Sequence, residues 1–219
     1  MTWDWNWFTP LGHVAVVWPL MIAIAGLLVV RPGGKTSLVG VATWLGAMAV
    51  ASLLVAASKV AFYGWGTGIR EWNLTCFSGH SVLSMAFWPV ALALLLPPRL
   101  ARSRHAACAA GLLIGVLVGV SRVRLNAHPP SEVIAGIALG LLVVSLSLKA
   151  MTETCLKAKQ TALALALTVM ISAWSGIHLP NLPTEHWLGR LGATLAGNEQ
   201  PVHRHSWLKA EADRKHSNY

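Results

Sequence analysis

The sequence predicts an all-α protein: a polytopic membrane helix bundle with about six transmembrane helices. Three observations carry this expectation. Apolar residues make up 55% of the 219 positions and charged residues only 11%, with 11 Trp, a composition of membrane proteins. Six apolar runs reach or approach the length that spans a bilayer. The loops between these runs alternate between cation-rich and cation-poor, as expected of a chain that crosses repeatedly.

The N-terminal Met-Thr-Trp-Asp-Trp-Asn-Trp-Phe carries no basic residue, and no cleavage site follows the first run. It reads as an uncleaved aromatic anchor. The runs cover 11–30, 38–58, 80–96, 106–120, 131–148 and 161–177. The third and fourth are short, which places their polar ends at the interface. Small residues at spacing four, Gly111, Gly115 and Gly119 in the fourth run and Gly136 and Gly140 in the fifth, let helix backbones approach closely. If those two faces met, they would fix the loop between them. Beyond the sixth run, Thr184 to Leu195 offers a cap and apolar Trp187, Leu188, Leu191 and Leu195, the pattern of a short interfacial helix. The polar stretch from Asn198 onward reads as disordered. The expected division is a six-span domain over 1–178, with a functional core at 59–140, followed by an interfacial helix and tail over 179–219.

Loops 31–37, 97–105 and 149–160 hold eight Lys or Arg: Arg31, Lys35, Arg99, Arg102, Arg104, Lys149, Lys157 and Lys159. The opposite set holds four, Lys59, Arg70, Arg122 and Arg124. The first set is therefore expected in the cytoplasm, and both termini and the second set in the periplasm or outside. The net charge of +9 is then a topology signal, and no nucleic-acid partner is expected. Cys76, Cys108 and Cys155 fall in an outer loop, a span and an inner loop, so none pairs.

The chemistry concentrates on the cation-poor side. Ser121-Arg-Val-Arg-Leu-Asn-Ala-His-Pro-Pro-Ser-Glu132 packs two arginines, a histidine and a carboxylate between two apolar runs. Arg122 and Arg124 can hold a phosphate through charge-assisted hydrogen bonds. His128 is a candidate nucleophile. Glu132, four residues on, reaches its ring if a helix begins at Pro129-Pro130, and would fix the tautomer and stabilise the imidazolium. Ser78, Gly79 and His80 open the third run, where a helix N-terminus offers amides, a hydroxyl and the positive end of a dipole to an anion. The stretch Tyr63-Gly-Trp-Gly-Thr-Gly-Ile-Arg70 reads as a gate over the site or as a turn between spans. His203-Arg-His205 in the tail offers two metal-ligand side chains without a framework.

These residues resemble the type-2 phosphatidic acid phosphatase superfamily, integral-membrane lipid phosphatases related to vanadium haloperoxidases. The family's motifs are K-x6-R-P, P-S-G-H and S-R-x5-H-x3-D. Ser121-Arg122, His128 and Glu132 match the third at every spacing, with Glu in place of Asp. Ser78-Gly79-His80 match the second, with Phe77 in place of Pro. Lys59 stands at a span end as in the first, but Arg70 follows after ten residues and Glu71 replaces the proline. The resemblance implies that His128 attacks phosphorus, Glu132 orients it and His80 protonates the leaving oxygen. It also implies that Lys59, Arg70, Ser78, Gly79, Ser121 and Arg122 hold the phosphoryl group. The expected activity is metal-independent hydrolysis of a lipid phosphate monoester or pyrophosphate, without cofactor. Candidate substrates are an isoprenoid pyrophosphate, phosphatidic acid, phosphatidylglycerol phosphate or a lipid A phosphate. The expected surroundings are the bacterial inner membrane. The arrangement departs from many six-span relatives, with one helix before the first motif's span and one after the last motif's, which turns both termini outward. Two other classes compete: a transport or scaffold protein that leaves the motifs unused, and a haem or metal protein ligated by His80 and His128.

Overall fold

The computed structural model describes residues 4–30, 38–178 and 183–209, and the side chains of these except for 172–178. The loop with Arg31 and Lys35, and the last ten residues, lie outside the described residues. The fold is all-α. Among the described residues seven α-helices are formed: α1 (Val14–Val29), α2 (Leu38–Trp65), α3 (Gly79–Leu94), α4 (Ala101–Arg124), α5 (Pro130–Ala150), α6 (Ala158–His178) and α7 (Thr184–Ala196). Among the described residues there is no strand, only an isolated bridge between Ile69 and Leu74. Each of the six apolar runs lies on one of the first six helices. The predicted interfacial helix is α7.

Helices α2, α4 and α5 are long and apolar enough to cross a membrane. A fourth candidate span joins the residues Trp5–Gly12 to α1 across a 46° bend. The two shorter apolar helices are Gly79–Leu94 and Ala158–Ile171. Outward faces of α2, α4, α5 and α6 expose Leu53, Leu113, Ile134, Leu142 and Val169. An apolar exterior of this extent suits lipid and not water.

The central helix is one of the two shorter ones. Along α3 nearly every residue from Ser81 to Leu94 is buried, because α1, α2, α4 and α5 surround it. The two glycine stripes close on this helix, not mainly on each other. A Cβ on Gly111 would come within 2.4 Å of the Pro89 nitrogen, and one on Gly140 within 2.6 Å of the Met85 Cβ. Only Gly119, against Val133, brings α4 onto α5. The bulk of Met85, Trp88 and Pro89 needs both small-residue faces at once, which is why α3 is sandwiched between them.

The chain has two ends. At one, Arg104 donates to the carbonyls of Thr152 (3.0 Å) and Met151 (2.8 Å), and the Leu156 amide donates to the Leu94 carbonyl. The other end gathers the N-terminal turns, the 66–78 loop, the α4–α5 connection, α7 and the following segment. All the sequence-predicted site residues lie at or near this second end.

Candidate active site

The α4–α5 connection is built for one contact. Helix α4 ends in Arg122 and Arg124, Asn126 turns the chain with φ 53°, and the amides of Ala127 and His128 donate back to the Arg122 carbonyl. Pro130 then starts α5, as its fixed φ allows. This places His128 one turn before Glu132, and His128 Nδ1 lies 2.6 Å from Glu132 Oε2. Glu132 is fully buried.

The other carboxylate oxygen is held from a different loop. Glu132 Oε1 accepts from the Thr75 amide (3.0 Å), the Thr75 hydroxyl and the Cys76 amide (3.2 Å). The glycine-rich stretch before it is a tight turn. Gly68 has φ 146°, and a Cβ there would meet the Leu74 carbonyl oxygen at 2.6 Å, so only glycine lets the Ile69–Leu74 pairing close. That pairing delivers the Thr75 and Cys76 amides to the carboxylate. Burial, with Glu132 nearby, pushes the Cys76 thiol up to about 11. It stays protonated at neutral pH and is no rival nucleophile.

His128 opens onto a polar cavity of about 410 Å³ lined also by His80, Arg122, Tyr63, Glu185 and Arg204. Arg122 is buried. Its guanidinium donates to the Ser121 hydroxyl (3.2 Å from Nη2) and to the Thr9 hydroxyl of the N-terminal turns. Ser121, itself donating to the Val118 carbonyl (2.7 Å), therefore orients Arg122 and does not line the cavity. His80 sits on the first turn of α3, edge-on to His13 with centroids 5.7 Å apart. Its Nε2 is buried and has no hydrogen-bond partner among the described residues.

Like Ser121, the expected phosphate ligands Ser78, Gly79 and Arg70 do not line this cavity. Ser78 is buried in the α3–α5 contact, where its hydroxyl accepts from Ser81 (2.9 Å). Gly79 lines an adjoining apolar groove of about 200 Å³. The guanidinium of Arg70 lies over the Trp207 ring, 5.0 Å from its centroid. The four extra residues between Lys59 and Arg70, relative to the motif, carry Arg70 out along the turn to this position.

Lys59 is buried at the groove, and its ammonium is paired with Glu185 of α7. Tyr63 donates to the second Glu185 oxygen (2.6 Å). Glu185 is more than half exposed, and the Lys59 charge with the hydrogen bonds from Lys59 and Tyr63 holds its carboxyl below its usual range. Glu185 and His80 line both the polar cavity and the apolar groove, whose wall includes Trp18, Val55, Ala56, Val82, Leu83 and Leu188.

The segment after α7, expected to be disordered, is packed over residues 198–209. Asn198 donates to the Gly64 carbonyl (2.6 Å), the Val202 amide to the Tyr63 carbonyl (2.8 Å) and Trp207 Nε1 to the Gly66 carbonyl (2.7 Å). Trp207 stands edge-on to Phe62. An amphipathic indole with a partner at each end outweighs the polar composition around it. Arg204 of this segment donates to Glu132 Oε1 at 2.6 Å. Glu185, Arg204 and Thr75 were all missed as site residues. The available signals were the acidic residue in the first turn of α7 and a lone Trp in a polar tail.

Among the described residues one group of side chains has metal-ligand spacing: Cys76, His128 and Glu132 bring ligand atoms within 4.8 Å of one another. Glu132 already accepts from Thr75, Cys76, His128 and Arg204, and the thiol holds its proton. A cation would have to displace these bonds and would sit against the Arg204 charge.

The model of the PAP2 superfamily matches residues 40–154, more than half of the chain. The chain belongs to the PAP2 superfamily. That membership implies phosphatase activity on phosphate esters. The match contains Lys59, His80, Arg122, His128 and Glu132, and ends before Glu185 and Arg204. An uncharacterized 22.5 kDa protein in the cps region of Klebsiella pneumoniae is 34% identical over 214 residues, covering 93% of this chain and the whole of the relative. No solved structure matches. As a PAP2 member the chain departs from the family's third motif at Glu132. The departure is accommodated: the longer side chain starts on α5 and still meets both His128 and the Thr75–Cys76 amides.

Proposed function

We propose that this PAP2 member is a lipid phosphatase of the bacterial inner membrane, with its site facing the periplasm, working through a phosphohistidine at His128. The observation that carries the reading is the His128–Glu132 pair at 2.6 Å, set in a cationic cavity that shares walls with an apolar groove. An anionic headgroup fits the first space and a hydrocarbon chain the second.

Glu132 accepts Nδ1–H, leaving the Nε2 lone pair for phosphorus. Attack forms the N–P bond as the bond from phosphorus to the lipid oxygen breaks, and a proton from His80 goes to that oxygen. Water then cleaves the N–P bond, giving its proton to His80 and releasing phosphate. Arg122, held by Ser121 and Thr9, balances charge on the phosphoryl oxygens. Lys59 joins once the substrate takes the place of Glu185. Metal-free catalysis fits a carboxylate whose acceptor positions are already filled from the protein.

The test is phosphate release from phosphatidic acid, phosphatidylglycerol phosphate, an isoprenoid pyrophosphate and a lipid A phosphate, by the parent and by His128→Ala, in excess EDTA. Release by the parent on at least one lipid, inhibited by vanadate and abolished in His128→Ala, supports the reading. Activity lost in chelator and restored by magnesium contradicts the metal-free mechanism.

A further inference from the structure

The PAP2 match ends at residue 154, yet a cation from fifty residues further along the chain reaches the centre of the site. We infer that Arg204 is a positioning residue for the reaction, holding the Glu132 carboxylate in register with His128. This rests on the phosphatase reading above.

The two carboxylate oxygens have separate partners. Oε2 meets His128 Nδ1 at 2.6 Å. Oε1 receives Arg204 Nη2 at 2.6 Å, besides the Thr75 and Cys76 donors. The same guanidinium donates to the Thr75 hydroxyl (2.9 Å) and to Asn73 Oδ1 (3.3 Å). Rotation about the last torsion of a glutamate is soft and roughly two-fold. A guanidinium planted on one oxygen, and braced on the loop that supplies the amides, removes that freedom and keeps the other oxygen on the imidazole. Charge points the same way. A fully buried carboxylate needs a nearby cation, and the charged partner nearest in the described structure is Arg204, not Lys59 or Arg122. The brace has its own anchor. Trp207, three residues on, packs on Phe62, donates to the Gly66 carbonyl and carries the Arg70 guanidinium on its face.

The experiment uses purified full-length protein in detergent micelles with phosphatidic acid, or the preferred lipid of the panel above. It compares the parent with Arg204→Ala, Arg204→Gln, Arg204→Lys and His128→Ala, each checked by thermal unfolding. An imidazole released from its orienting contact should lower kcat by about ten- to a hundredfold in the Ala and Gln variants, with KM within about threefold of the parent. Arg204→Lys should recover part of the loss, and added methylguanidinium should raise the rate of Arg204→Ala but not of the parent. Ala and Gln variants with kcat within about threefold of the parent would overturn the inference. So would a loss that neither lysine nor methylguanidinium reverses, which marks a merely structural contact. If Arg204→Ala does not fold, Arg204→Gln decides by its kcat against that of Arg204→Lys. An inactive parent, or an active His128→Ala, would instead contradict the phosphatase reading itself.

Discussion

Glu132 reaches His128 from one helical turn away, Oε2 to Nδ1 at 2.6 Å, while its other oxygen is tied to the loop before α3. One side chain thus joins the α4–α5 connection to the 66–78 turn. The nucleophile's orientation depends on both.

Glu132→Gln keeps the length and removes the charge that stabilises an imidazolium. By analogy with a serine-protease triad, the loss in kcat reaches about ten-thousand-fold. Glu132→Asp leaves a gap of roughly one carbon–carbon bond on both sides of the carboxylate, and about a hundredfold is expected from a misplacement of that size. Initial rates on a lipid phosphate decide. Near-parent activity in Glu132→Gln removes Glu132 from the orienting role.

This pair was legible in the sequence, because the contact is local: a spacing of four residues, with two prolines of the kind favoured at a helix start. The six helices were legible for a similar reason, since each apolar run is continuous in sequence. Of the six expected spans, though, only three, or four with the bent pair, are long and apolar enough among the described residues. Arg204 and Glu185 were not. Their partners lie 72 and 126 residues away, and a polar tail has no period that reveals a docking face. The spacing-four glycines announced close packing but not the partner, which proved to be α3. Arg70 was placed at the phosphate by motif analogy, although its spacing from Lys59 already departed from the motif.

His80→Ala should impair departure of the leaving group more than attack. A general acid commonly contributes about a hundred- to ten-thousand-fold. The defect should therefore shrink with an aryl phosphate, whose leaving group needs no proton. Equal defects on lipid and aryl substrates would remove His80 from the acid role.

Orientation can be read by an impermeant thiol reagent in intact cells, with the native cysteines replaced. Trp72, exposed on the 66–78 turn, serves as the position for the outer label. A cysteine at Trp72 should label and one at the exposed Ser103 should not. Labelling at Ser103 alone would invert the proposed orientation.

Glu185 should act as a competitor for Lys59. Replacing it with Gln frees the ammonium for substrate, and KM for the lipid phosphate should fall severalfold while kcat holds. The pairing also has a pH signature. Because Lys59 holds the Glu185 carboxyl below its ordinary value of 4.5, the contact contributes fully above that pH and is lost as pH falls through the depressed value. Amide exchange in α7 at neutral pH should then be slow in the parent and faster in Glu185→Gln. Equal exchange, with unchanged KM, would show that the pair neither docks α7 nor blocks Lys59.

If His128 carries the phosphoryl group during turnover, that group can be trapped on its ring. The protein is mixed with lipid phosphate labelled in its phosphoryl group, quenched in alkali within the first turnover, digested and mapped. Label is expected on the peptide containing His128, stable in base, labile in acid and absent from His128→Ala, which does not turn over. Label on another residue, or turnover by His128→Ala at the parent rate, would contradict it.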